Sequence, residues 1–240
     1  MALTPLLLAL GAALGNLVGA LAVVRAERRS LAAIQMSLAF GAGFMLALVL
    51  VGVLPEVFAT ASMSAAGMLV LAGYLLVHVA QHVITPHFHF GEETHPVPAS
   101  AGYSALIGLS LHAFFDGVAI ASGFLVSMPL GVLFFLGILL HKLPEGVTVA
   151  SLMLASGAGR RPALLSGAVL GVATILGALL TGAVAALASY GLALAAGVTL
   201  YVAASNLVPE VQASRALRIT GAFLGGVVAL LLLRAAGSGL

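Results

Sequence analysis

Hydrophobic positions along this chain fall in long uninterrupted runs, and the polar positions that separate them are few and clustered. A helix that crosses a bilayer needs about 20 mostly apolar residues. Eight segments of that kind fit the pattern: 2–24, 31–55, 64–85, 102–126, 129–157, 162–187, 191–212 and 217–237. The breaks have recognisable causes. RAERRS and GAGRRP carry charge, while SMP (127–129) and SYG (189–191) have turn composition. Only residues 86–101 make a substantial loop. The pattern predicts an all-α membrane protein with a single transmembrane domain over residues 1–240, and the lipid bilayer as its surroundings.

Composition sharpens this. Hydrophobic residues make up 62% of the chain and charged residues 7%, against about 25% charged in a soluble domain. With no cysteine there is no disulfide framework and no thiolate metal site. A formal net charge of +2 gives no reason to expect a nucleic-acid partner. Ala2–Val24 lacks the basic leader of a signal peptide, and its first charge, Arg25, follows the apolar run. It is expected to stay as a membrane span. Cytoplasmic loops collect Lys and Arg, and an even helix count puts both termini on one side. With both termini extracytoplasmic, Arg25, Arg28, Arg29, Arg160, Arg161, Arg215 and Arg218 all fall in cytoplasmic loops. Lys142 and Arg234 are the remaining basic residues. The 86–101 loop is then cytoplasmic.

Internal similarity adds an architecture. HAFFDGVAIASGFL (112–125) and HKLPEGVTVASLML (141–154) share His-x-x-x-acid-Gly-Val, with Ala-Ser at the same later offset. AGFMLALVLVGVLPEV (42–57) likewise matches AGVTLYVAASNLVPEV (196–211). In the alternating topology helices 2 and 7 run oppositely, as do helices 4 and 5. Inverted repeats about an axis in the membrane plane are a transporter signature, with the substrate site near the midplane. The expected bundle is 3+2+3: three helices, a central pair, then three inverted helices.

The chemistry concentrates in the central pair. Positions four apart share a helix face, so His112 with Asp116, and His141 with Glu145, form two two-toothed faces. Together they offer two imidazoles and two carboxylates, a set suited to a divalent transition metal. Pro144 should kink the fifth helix beside the site, and Gly117 and Gly146 leave room for close helix approach. The bland alternative is a group of polar residues satisfying one another between helices. Ionisable residues inside a membrane nevertheless mark ion or substrate paths by default.

The paired HxxxDG and HxxPEG frames resemble the signature of the ZIP (Zrt/Irt-like) metal transporters, prokaryotic type. Eight helices, termini outside and a His-bearing loop between helices 3 and 4 agree with that resemblance. It implies uptake of Zn²⁺, or of Fe²⁺, Mn²⁺, Co²⁺ or Cd²⁺, across the inner or plasma membrane into the cytosol. The metal is then cargo: the resemblance implies no catalytic residue and no resident cofactor. His112, Asp116, His141 and Glu145 match the transport site, and Met45 sits where some bacterial members place a methionine ligand. Two positions depart from many relatives. Ala113 replaces an Asn, and Lys142 stands where some members are acidic. These positions help bind a second ion in two-metal relatives, and helix 6 has no carboxylate to complete it. The resemblance therefore implies a single-metal site, with the Lys142 ammonium as surrogate for the second cation.

Further candidates lie outside the pair. The stretch HVAQHVITPHFHFGEETHP holds five of the seven histidines. His78 and His82 share a face at the cytoplasmic end of helix 3. His87, His89, Glu92, Glu93 and His95 make the loop either a metal-receiving segment or a plain solvated one. Glu56 and Glu210, each after a proline, end helices 2 and 7 and either line the pathway or cap a helix boundary. Gly167-x-x-x-Gly171 reads as a packing face, inside the subunit or across a homodimer. The rival reading from another class is a membrane-embedded metal-dependent hydrolase. Inverted repeats count against it, because hydrolysis has no need of alternating access.

Overall fold

The computed structural model describes residues 3–25, 31–60, 62–81, 99–213 and 216–237, and every regular element among them is helical. We number these α1 (Leu3–Arg25), α2 (31–60), α3 (Met63–Val79), α4 (Ala99–Val126), α5 (Met128–Ala155), α6 (Arg160–Ala183), α7 (185–213) and α8 (Leu217–Gly237). Seven of them contain stretches long and apolar enough to cross a membrane. The shorter one is α3, with 17 residues; helical turns continue through residues 80 and 81, and the rest of its expected length, 82–85, lies outside the described residues. Large apolar side chains such as Leu7, Leu14, Met68, Leu176 and Leu232 stand exposed along the helices, which suits a hydrocarbon surrounding. Hydroxyls are satisfied at home: Ser110, Thr181 and Thr199 each donate to the carbonyl four residues back. The chain is an all-α membrane protein.

The turns explain where helices stop. A single residue, Ser127, joins α4 to α5. It is extended (φ −160°, ψ 153°), and its hydroxyl accepts the Leu130 N–H at 3.3 Å, with Pro129 in the first turn that follows. Between α5 and α6 the chain turns through Gly157 and Gly159, whose φ values of 79° and 87° favour glycine. The expected break at Ser189–Gly191 is absent. The chain turns instead at Val184 (φ −108°, ψ 111°), and Gly191 lies buried inside α7. A Cβ there would come within 2.8 Å of Ser122 Oγ and 2.9 Å of Val118 Cγ1. This glycine serves contact with α4, and contact glycines and turn glycines look alike in a sequence.

The prolines of α2 and α7 do not end their helices either. In both, the helix widens to a π turn, Leu48–Val53 in α2 and Val202–Leu207 in α7, and then continues as Leu54–Thr60 and Val208–Ala213. The Leu54 N–H bonds the Val49 carbonyl and the Val208 N–H bonds the Ala203 carbonyl, five residues back in each case. Pro55 and Pro209 follow directly. A proline has no N–H and its ring clashes with the carbonyl four residues earlier, and a widened turn just before it relieves both problems. The two π turns occupy the same place in the 42–57 and 196–211 similarity.

Glycines set the crossings. Where α1 meets α5, a Cβ on Gly19 would strike the Leu143 carbonyl and one on Gly146 the Asn16 carbonyl. Where α6 meets α4, Gly177 and Gly117 stand in the same relation to the Phe114 and Thr174 carbonyls. The contacts of α2 with α8 (Gly43, Gly226) and of α3 with α7 (Gly73, Gly197) repeat the device. Without side chains at these points the backbones come close enough to pack carbonyl against Cα. Gly167 and Gly171 meet Ala20, Asn16 and Ala13 of α1, so this small face is filled within the chain. The register also fixes directions. Gly15 lies by Lys142 and Gly19 by Leu143 and Val147, so α1 and α5 run parallel. Gly41 lies by Leu140 while Gly137 faces Phe44 and Leu48, so α2 runs against α5.

Candidate metal site

The α4–α5 hairpin carries the chemistry and packs against the α1–α6 pair. His112 and Asp116 stand one turn apart on α4; His141, Lys142 and Glu145 stand within two turns on α5. All five are buried, with Lys142 fully enclosed. The ligating atoms of His112, Asp116 and His141 lie within 4.8 Å of one another. Asp116 is the hub. Its Oδ2 is 3.3 Å from His112 Nε2, 3.4 Å from His141 Nε2 and 2.7 Å from Lys142 Nζ. The two imidazoles are tilted by 33° with centroids 5.5 Å apart.

Hydrogen bonds fix one imidazole. His141 Nδ1 lies 3.0 Å from the Gly137 carbonyl, which can only accept, so the Nδ1 proton is donated there. That leaves Nε2 turned toward the Asp116 carboxylate, 3.4 Å from its Oδ2. A histidine held by one ring nitrogen, with the other turned toward a carboxylate, is the usual arrangement of a metal ligand. His112 is less constrained: neither of its ring nitrogens has a hydrogen-bond partner among the described residues. The same holds for Asp116 Oδ1 and Glu145 Oε1. Buried polar atoms are normally paired. A group whose members merely satisfied one another would not leave four such atoms over.

Lys142 occupies the junction between the two carboxylates. Its ammonium is 2.7 Å from Asp116 Oδ2 and 2.7 Å from Glu145 Oε2. Glu145 therefore joins the cluster through Lys142 and is not itself one of the three mutually close ligand groups. Formally, the two carboxylates and the ammonium sum to one negative charge.

The remaining expected site residues are dispersed. Met45 is fully buried on α2, four residues beyond Gly41, the residue that faces Leu140. Glu56 follows the π turn and Pro55. His78 stacks edge-on against Tyr201 at 5.7 Å, and Tyr201 meets Tyr74, whose hydroxyl is 2.8 Å from Ser205 Oγ. Neither Glu56 nor His78 joins the cluster of ligand side chains. Glu210 belongs to the last segment of α7 by its backbone, and its side chain is not among those described. His82, His87, His89, Glu92, Glu93 and His95 lie outside the described residues. One residue at the site had drawn no attention in the sequence. Asn16 of α1 is fully buried. With its amide nitrogen turned toward the acceptors, it donates to the Lys142 carbonyl at 2.6 Å and to Glu145 Oε2 at 3.0 Å. Its signal was a single amide inside an otherwise apolar run.

Two imidazoles, two carboxylates and a fixed ammonium in a buried crossing can hold a borderline divalent cation with mixed N and O ligands. The chain matches the protein family described as ZIP zinc transporter over residues 91–234, a span that contains the whole α4–α5 hairpin. It is 32% identical over 185 residues to the zinc transporter ZupT of Salmonella heidelberg (strain SL476), covering 73% of this chain and 71% of that protein. The ZupT proteins of Escherichia fergusonii and of Escherichia coli O1:K1 / APEC are also 32% identical, over 183 and 186 residues. Each of those alignments covers 72% of this chain and 70% of the relative.

Proposed function

The chain belongs to the ZIP family of metal-ion transporters, multi-pass proteins of the cell membrane rather than enzymes, and on that premise we propose that it takes up Zn²⁺ into the cytosol through a single-metal site on α4 and α5. The observation that carries this reading is the buried cluster of His112, Asp116 and His141, with atoms left unpartnered in and beside it. Glu145 completes the ligand set. Fe²⁺, Mn²⁺, Co²⁺ and Cd²⁺ suit the same mixture of imidazole and carboxylate and are secondary substrates. Met45 approaches from α2 as a fifth ligand.

The whole chain, residues 1–240, acts as one transporter domain with eight spans in a 3+2+3 inverted arrangement. The packing supports this. Glycine crossings come in matched pairs, α1/α5 with α6/α4 and α2/α8 with α7/α3. Because α2 and α4 both run opposite to α5, the chain between them has to return across the bundle, which supports reading α3 as a span despite its length. Arg25, Arg160, Arg161 and Arg218 then mark the cytoplasmic side. In this orientation Glu56 belongs to the extracytoplasmic half of the pathway, and Glu210, His78 and His82 to the cytoplasmic half. His87, His89, Glu92, Glu93 and His95 receive metal on the cytosolic side.

Lys142 limits the site to one ion. Its ammonium bridges the carboxylates at the position a second divalent cation would take, and one Zn²⁺ already turns the net charge of the cluster from negative to positive. Purified protein in liposomes loaded with a zinc-sensitive dye tests the proposal. Zinc-driven influx saturating with external concentration is the expected result. Liposomes that stay dark under an imposed gradient, with correctly folded protein, would overturn it.

A further inference from the structure

Asn16 is the one amide in α1 and is fully buried where that helix crosses α5. The crossing of α6 on α4 supplies a control. A Cβ on Gly146 would strike the Asn16 carbonyl, and a Cβ on Gly117 would strike the Thr174 carbonyl. Three residues further on, Gly19 and Gly177 make the reciprocal contacts, and NLVGAL (16–21) aligns there with TILGAL (174–179). Thr174 turns its hydroxyl back to its own helix and donates to the Leu170 carbonyl at 3.1 Å. A side chain that reaches across is therefore not needed for a crossing this close.

Asn16 does reach across. Its amide nitrogen bonds the Lys142 carbonyl and Glu145 Oε2, and the same Oε2 receives the Lys142 ammonium at 2.7 Å. Two donors converge on one carboxylate oxygen. The other oxygen, Oε1, is buried and has no hydrogen-bond partner among the described residues. We infer that Asn16 is a positioning residue for transport. It locks Glu145 with Oε2 engaged by the protein and Oε1 presented, as a one-oxygen ligand, to the divalent cation. It also ties α1 to the site, since the bond to the Lys142 carbonyl anchors the amide to the α5 backbone. The inference rests on the reading of Glu145 as a transport-site ligand.

A double-mutant cycle on the full chain tests it, with zinc alone as the probe, by equilibrium binding in detergent and by flux in liposomes. The variants are Asn16→Leu, near in volume but without a donor, Asn16→Thr, which copies the packing at residue 174, and Glu145→Gln, alone and combined. Outer-shell partners of metal ligands typically contribute about 10–100-fold in affinity. Asn16→Leu and Asn16→Thr should each weaken zinc binding about tenfold and raise KM more than they lower the maximal rate. In the Glu145→Gln background the same changes should have no further effect, because Asn16 acts through that carboxylate. Wild-type affinity in both Asn16 variants, or an undiminished loss in the Glu145→Gln background, would overturn the inference. Wild-type affinity in Glu145→Gln itself would instead remove Glu145 from the site, a separate failure. Should the Leu variant fail to fold, the Thr variant carries the test.

Discussion

Proline is handled in two ways in this bundle. In α5, Pro144 lies between His141 and Glu145, the proposed ligands, and the helix remains α-helical from Met128 to Ala155. In α2 and α7, Pro55 and Pro209 each follow a π turn. The difference has a geometric reason. A π turn adds about one residue to the helix, and one residue is about 100° of rotation. Placed between His141 and Glu145, it would swing one of them off the shared face. The α5 helix keeps its register where the proposed ligands are spaced in fours. The flanking helices, whose described residues contribute nothing to the three-ligand cluster, absorb the widening.

Substitutions should separate the two behaviours, with metal affinity set mainly by α4 and α5, and rate set by the prolines of α2 and α7. The largest effect belongs to the hub. Asp116→Ala removes the carboxylate shared by both histidines and Lys142. Zinc affinity should fall by at least about 100-fold, with influx at background, as measured by equilibrium binding and dye flux. Retained affinity would move the site away from the hairpin. Next comes Lys142→Ala, which leaves two buried carboxylates without their cation. The metal-free protein should lose about 3–5 kcal/mol, read as a lowered melting temperature in detergent, and saturating zinc should restore much of it. Lys142→Asp combined with Ala113→Asn should raise the bound zinc that depends on His112 from one ion to two.

Effects in the flanking helices should be smaller and of another kind. Pro55→Ala and Pro209→Ala permit a regular α-helix in place of each π turn. A several-fold change in maximal influx rate is expected with unchanged zinc affinity, as for positions that govern motion rather than binding. An affinity loss matching that of Asp116→Ala would erase the distinction between the helix pairs. The mildest change is Met45→Leu, which exchanges a thioether for a hydrocarbon of similar size. Affinity for soft Cd²⁺ should drop by a few-fold, and affinity for Mn²⁺ should hold.

Much of this arrangement was legible in the amino-acid pattern, because helical spacing is local. Four-residue spacing alone places His112 with Asp116 and His141 with Glu145, and repetition of the frame points to two helices that meet. The sequence also shows Lys142 three residues before Glu145, one of the two carboxylates it bridges. What it hides is contact between distant segments. Asn16 stands more than a hundred residues before Glu145, and nothing in its neighbourhood names a partner. Gly191 looks like a turn until α4 is seen packed against it. The prolines at 55 and 209 look like helix ends because the relief, a π turn, leaves no compositional mark. Direct closeness of Glu145 to the histidines was also expected, whereas Lys142 stands as the link.

The one-residue turn at Ser127 has a consequence for how this protein is made. It ties α4 and α5 into a helical hairpin short enough at its tip for the two helices to enter the bilayer as a unit. Charges carried singly to mid-membrane depth cost about 2.5–3.5 kcal/mol each. Within the hairpin, Asp116 and Glu145 find the Lys142 ammonium without help from any other helix. The translocation machinery therefore receives a segment that brings its own counter-ion. The spans that bury these three charges can be released into lipid before α6, α7 and α8 have left the ribosome.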